Sequence, residues 1–254
     1  MTRIAARRLQ KGNPHQLTIK QHVLPRQSIA RFTGQDAKVE VQRLGQTATI
    51  RLKPNNPIFC ADRAWDQRAE AGYSRSIEIE FQHLVDLLLA GKYFLKEIDH
   101  LTVTRFWALW RLRAEARKNL PSPVKLKGVI ETRELSIFEQ EALEAKHISY
   151  VENGNEIPSH IISGLQMQAQ IDRLTMTPIC WGVIKSAIIE FIVPDTIGTS
   201  GFVPLSSNTA LLANLANGPI DSQAAIRINQ VLRDGATHYI FAKHIARTLS
   251  ERET

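Results

Sequence analysis

The period of the hydrophobic pattern changes twice along this chain, and the order of those changes limits the folds open to it. In KVEVQRLGQTATIRLK (38–53), Val39 and Val41 alternate with Lys38, Glu40 and Gln42. Past Gly45, Ala48, Ile50 and Leu52 alternate with polar neighbours. Period two on both sides of a glycine-containing turn predicts a β-hairpin with one buried face. Helical spacing then takes over, with Ile77, Phe81, Leu84, Val85 and Leu88 ahead of a stop at Gly91. Asp99 is the expected cap of a second helix that gathers Val103, Phe106, Trp107 and Trp110 on one face. Ser136 followed by Glu139 is a capping-box pattern for a third helix. A fourth is expected over 159–173, with Ile161, Ile162, Leu165 and Ala169 inside it.

The β-branched and aromatic stretches PICWGVIK and AIIEFIVPD then read as strands, with GFVPL as a further short one. DSQAAIRINQVLRDG reads as a helix capped at Asp221 or Ser222 and stopped by Gly235, and THYIFAKHIA as a strand or a continued helix. Strands and helices are segregated rather than alternating. The expectation is therefore an α+β fold: an N-terminal β-hairpin, a central helical layer, and C-terminal strands packed with the first sheet. We expect a basic arm over 1–14 and one α+β domain over 15–254, with a helical insertion at about 74–174. The densest apolar run, LVDLLLAG, is interrupted by Asp86 and falls short of the roughly 18 residues a membrane span needs, so a soluble, cytoplasmic protein is expected.

Charge is distributed unevenly. Arg3, Arg7, Arg8, Lys11, Lys20, Arg26 and Arg31 all lie in residues 1–35, which contain no acid. They are seven of 32 Lys and Arg, so the rest of the chain sets 25 bases against 25 acids and the formal excess of +7 belongs to the front segment. An acid-free basic segment favours a polyanion, and these seven residues are the candidate nucleic-acid contacts. Cys60 and Cys180 sit in apolar contexts without a CxxC spacing, and both are expected to be buried free thiols. The sequence contains no phosphate-binding GxxxxGK[ST], HExxH, GxSxG or EF-hand pattern, and its eight histidines lack ligand spacing. Pro194–Asp195 prompts comparison with metal-dependent nucleases of the PD-(D/E)xK type, but the second acid and the lysine are missing. Asp195 also reads as a turn residue after a strand.

QHVLPRQSIARF (21–32) pairs His22 with Pro25, whose ring suits the first turn of a helix that buries Ile29 and Phe32. This stretch resembles the His-x-x-Pro-x-x-x-Leu-Arg-x-Phe opening of a bacterial family built on a domain of unknown function, family 4238. DAKVEVQRLGQTATIRLKP is similar to its hairpin, SIEIEFQHLVDLLL to its glutamate-bearing helix, and FWALWRLR to its helix ending in arginine. IIEFIVPDTIG resembles its Ser-Asp-x-Pro segment, with Pro194 in the serine place, and GFVPLSSNTALL and INQVLRDGATHYIFA come next in the same order. The resemblance implies a bacterial protein with a layered α+β fold and brings no assigned chemistry.

Two functional expectations arise. In the first, the protein is a nuclease-like enzyme acting on nucleic acid, a toxin or phage-defence effector, with RNA or DNA as partner and a cognate antitoxin or other protein beside it. His22 is then general acid or base, Asp195 its orienter or the ligand of a divalent metal, Arg111 the phosphate clamp, and Glu80 (or Glu78) the helix-borne acid. In the second, it is a non-catalytic module that binds nucleic acid or protein, or a structural subunit of a defence complex. The basic arm then grips its partner, and His22 and Asp195 are structural.

Overall fold

The computed structural model describes residues 9–91, 94–128, 133–152, 154–177 and 179–248. Strand β1 (Lys20–His22) leads to Pro25, which caps the short helix α1 (Arg26–Ala30) and turns Ile29 and Phe32 fully inward. Strands β2 (Val39–Arg43) and β3 (Thr49–Leu52) are the hairpin, and β4 (Cys60–Asp62) returns antiparallel to β1. Helix α2 (Ser74–Leu89) buries Ile77, Phe81, Leu84, Val85 and Leu88, the positions its period selects, and Gly91 takes the positive φ of 69° that ends it.

Helix α3 (Glu97–Lys118) starts two residues before the expected cap. Lys96 holds the cap position, and Asp99, at the third helical position, accepts the Lys96 amide. Strand β5 (Val124–Lys125) precedes α4 (Ile137–Ala145), whose box of Ser136 and Glu139 forms as its sequence predicts. Strand β6 (Glu156–Ile157) pairs with β5 and leads into α5 (Ser159–Leu174). In α5, Ile161 and Ile162 are buried, whereas Leu165 is exposed and Met167 and Ile171 carry the inner face onward.

The C-terminal part contributes β7 (Trp181–Ser186), β8 (Val193–Pro194), β9 (Phe202–Ser206), β10 (Thr209–Ala213), β11 (Gly218–Ile220), α6 (Ser222–Gly235) and β12 (Tyr239–Ala242). Asp221 caps α6 by accepting the Ala224 amide. The α+β class is as expected. One four-stranded sheet runs β3-β2-β12-β8, with Phe241 of β12 between Val41 and Val193, so chain segments some 200 residues apart share a ladder. A second runs β11-β7-β10-β9, antiparallel except for the parallel pair β11 and β7.

Three expectations fail. The hairpin's second strand does not bury its alternate residues, and Ile50 is 41% exposed, because β3 is the edge strand and projects beyond the core. AIIEFIVPD is strand only at β8. Ile189, Phe191 and Ile192 are buried, but the amides of residues 189 to 192 bond to the Ser186 hydroxyl, the Arg247 carbonyl, the Ser207 carbonyl and the Asn229 side chain in turn, so no single partner strand forms a ladder. Cys60 is buried as expected, but Cys180 is exposed, because it stands just before β7 at a surface cavity. The larger apolar core lies between α2, α3, α5 and the hairpin sheet, and a smaller one lies under α6 around Phe191, Phe202 and Ile240.

Candidate functional site

After β4 the chain leaves extended geometry at Arg63, whose φ of 47° is in the left-handed region that non-glycine residues seldom occupy. Trp65 is fully buried, and Asp66 caps the next turn by accepting the Ala69 amide at 3.1 Å. Residues Ala69–Tyr73 then form a π turn that runs straight into α2. Such turns displace side chains from the α-helical phase and recur at functional sites. Here the turn brings Glu70 to the same guanidinium as Glu78 of α2.

That guanidinium belongs to Arg113 of α3, whose side chain is 2% exposed. It donates to Glu78 Oε1 at 2.5 Å and to the His22 carbonyl at 3.2 Å, and its second terminal nitrogen lies 3.6 Å from Glu70 Oε2. The Trp65 ring covers it at 5.2 Å, and the Trp65 indole N–H donates to Glu70 at 2.6 Å. The side chains of Glu70 and Glu78 remain 20% and 25% exposed, so this buried cation opens to solvent through its two carboxylates.

A second cluster joins the same segment to α4 and α5. Arg63 is ion-paired with Glu144, and His160 Nε2 lies 3.1 Å from Arg63 and 3.2 Å from Glu144. Nε2 accepts from the guanidinium when bare and donates to the carboxylate when protonated. Burial pushes the Glu144 carboxyl up, but the His160 imidazole, the Arg63 charge and the Gln67 amide outweigh it and hold the group below the usual carboxylate value. Beside it, burial raises Asp66 against the opposing Ala69 amide and Arg68 charge. A Cβ on Gly164 of α5 would stand 2.2 Å from Asp66 Oδ1, so only glycine admits this approach.

Of the expected site residues, His22, Asp195 and Arg111 each have contacts of their own. His22 ends β1, half-buried, with Nε2 3.2 Å from the Pro54 carbonyl. Asp195 is buried, and its two oxygens accept the amides of Thr237 (2.8 Å) and His238 (3.0 Å), which fixes the turn into β12. Arg111 lies over the Trp107 ring at 5.7 Å, and Glu80 is exposed on α2. Among the described residues no hydrogen bond or ion pair joins any two of His22, Asp195, Arg111 and Glu80, and no group of three or more His, Cys, Asp or Glu side chains is placed to hold a metal. Of the basic residues, Lys20 pairs with Asp62 and Arg31 with Asp86, while Lys11 and Arg26 are exposed without an ion pair among the described residues. Arg3, Arg7 and Arg8 lie outside the described residues.

Arg113, Glu70, Arg63, Glu144 and His160 were missed from sequence. The signal for Arg113 was present: Phe106, Trp110, Arg113 and Arg117 continue one helical face, so a charge stood inside the apolar stripe. Arg63, Glu144 and His160 come from three separate elements, and no spacing announces them. Comparison of the chain with family models, with curated proteins and with solved structures found no match. No helix among the described residues is long and apolar enough to cross a membrane.

Proposed function

We propose that the protein is a nucleic-acid-binding module that grips phosphate through its first 35 residues. The observation that carries this reading is the separation of charge. All of the formal excess of +7 lies in that acid-free segment, while the deepest cations of the body, Arg63 and Arg113, are matched to Glu144, Glu78 and Glu70. Internal charge of that kind is already engaged by the fold and leaves little field outside. The front segment contains no acid of its own; Lys20 and Arg31 pair with Asp62 and Asp86 of the body, and the excess of positive charge there attracts a phosphate backbone over a Debye length of about 10 Å. The saturated carboxylate of Asp195 supports a binding role over a catalytic one, since both of its oxygens already hold backbone amides.

A nuclease-like activity, which also suits a toxin or defence effector, is the second reading. It rests on His22 standing beside the Arg113–Glu78 pair, to which it gives its carbonyl. One set of measurements separates the two. Binding of a labelled duplex and a labelled single strand is followed against salt, with cleavage recorded on the same samples. Log affinity is expected to fall steeply with log salt, and changing Arg3, Arg7 and Arg8 to Ala is expected to flatten that slope by about 2 to 3. Salt-independent binding, or an unchanged slope in the triple variant, rules the module out. Cleavage that disappears in His22→Ala with binding intact promotes the second reading, and no cleavage in the wild-type protein removes it.

A further inference from the structure

Away from both charge clusters, a cavity of about 700 Å³ opens between the start of α3, the end of α5 and the lead into β7. Its volume is within the range of sites that enclose small organic molecules. Ile98, Leu101 and Ile179 supply apolar wall, and His100, Thr177 and Cys180 bring polar groups to it. The proton on His100 is placed by its surroundings. Nδ1 accepts the Trp181 amide at 3.1 Å, so in the neutral ring Nε2 carries the hydrogen. Among the described residues that N–H has no protein acceptor, and the ring lines the cavity.

Two other hydroxyls at the site are already committed. Thr104 donates to the His100 carbonyl and accepts the Trp181 indole N–H, and Thr175 donates into the last turn of α5. These bonds clamp His100 between α3 and β7 and leave Nε2 as the ring's remaining donor in a side chain that lines the cavity. Lys96 and Glu97 stand together at the rim with opposite charges, so the wall carries no net preference for an ion.

We propose that this cavity binds a small, neutral, largely apolar molecule carrying one carbonyl oxygen, which accepts from His100 Nε2. The site is separate from the nucleic-acid reading and stands or falls without it. Cys180 is an internal reporter, because its exposed thiol lies on the cavity wall while Cys60 is buried. The experiment measures the rate at which N-ethylmaleimide alkylates Cys180 in the full-length wild-type protein, with octanamide, octylammonium or neither present at millimolar concentration. Octanamide has the apolar tail and the carbonyl; octylammonium has the tail without an acceptor.

The expected result is a slowing of at least fivefold by octanamide and less than twofold by octylammonium. Leu101→Trp, which fills the space, is expected to remove the protection, and His100→Phe to reduce it to the level of octylammonium. No slowing by octanamide in the wild-type protein overturns the proposal without recourse to any variant. Equal protection by both compounds overturns the role of His100, since a greasy surface alone then accounts for the effect.

Discussion

Asn229 of α6 and Arg63 beside β4 are 0% and 3% exposed, and they meet the cost of burial in opposite ways. Asn229 accepts the Ile192 amide at 3.1 Å and donates both amide hydrogens, to the Glu190 and Thr248 carbonyls at 2.7 Å each. It replaces a missing strand partner for the irregular run 189–192 and is matched atom for atom. Arg63 uses one terminal nitrogen on Glu144 and His160, while its Nε and other terminal nitrogen are buried without a protein partner among the described residues. Arg113 likewise leaves Nε unmatched. The α6 core thus resembles a structural joint, whereas the segment 60–78 holds buried charge whose nitrogens are not all matched. A buried ion pair seldom outperforms an apolar pair of similar size in stability. Together with the left-handed Arg63 and the π turn, it marks this segment as the place where the fold departs from the arrangement that local stability alone favours.

The largest expected effect tests that contrast directly. Glu144→Ala leaves the Arg63 guanidinium buried with its carboxylate gone. Losing one partner of a buried pair costs about 3–5 kcal/mol, because the remaining charge is uncompensated. Urea denaturation at neutral pH is expected to show that loss with an unchanged m-value. A loss below about 1 kcal/mol would mean that water already solvates Arg63, and the two regions would differ less than their geometry states.

Asn229→Ala comes next. It strips partners from one buried amide and two buried carbonyls, and the expected cost is about 2–3 kcal/mol by the same measurement. The comparison is sharpened by the shape of the outcome. Hydrogen exchange at the Ile192 amide is expected to accelerate far more in this variant than in Glu144→Ala, because the damage is confined to the joint under α6. Equal acceleration in both variants would show that the two cores unfold as one unit.

These regions were unequally readable from the sequence. The Asn229 helix has its cap, its stop and its face written locally in Asp221, Gly235 and Leu232. The buried stripe of α2 was equally plain, but Glu78 and Glu80 flank it on opposite sides at nearly equal angles, so helical phase alone does not show that Glu78 meets Arg113 while Glu80 is exposed. Arg113 and Arg111 are two residues apart and therefore on nearly opposite sides of α3, so choosing between them is a matter of helical phase. The Arg63–Glu144–His160 group was not readable, because its members are 16 to 97 residues apart and meet only through tertiary packing. The second sheet was half visible: β7 and β9 carry β-branched and aromatic residues, while the short β11 has Gly218 and Pro219 and no strand pattern.

The smallest expected effect is a change in pH dependence. Glu144 has a folded-state pKa below its ordinary value, so its contribution is present above the unfolded value, about 4.3, and is lost as pH falls through the folded one. Asp66, raised chiefly by burial, acts with the opposite sign: its contribution is present below the unfolded value and is lost as pH rises through the folded one. Glu139, held down to about 2 by Arg133 and Ser136, is exposed and works in the same direction as Glu144, but from outside the core. Glu144→Gln keeps the shape of the side chain and a hydrogen-bonding oxygen while removing the titration. Between about pH 5 and 3 the wild-type protein is expected to lose stability more steeply than this variant, with Glu139 common to both curves and Asp66, which the Glu144 charge helps to raise, offsetting part of the difference. Parallel curves would mean that Glu144 titrates normally in the folded protein, and that the charge buried beside Arg63 is held by packing alone rather than by the ion pair and imidazole that surround it.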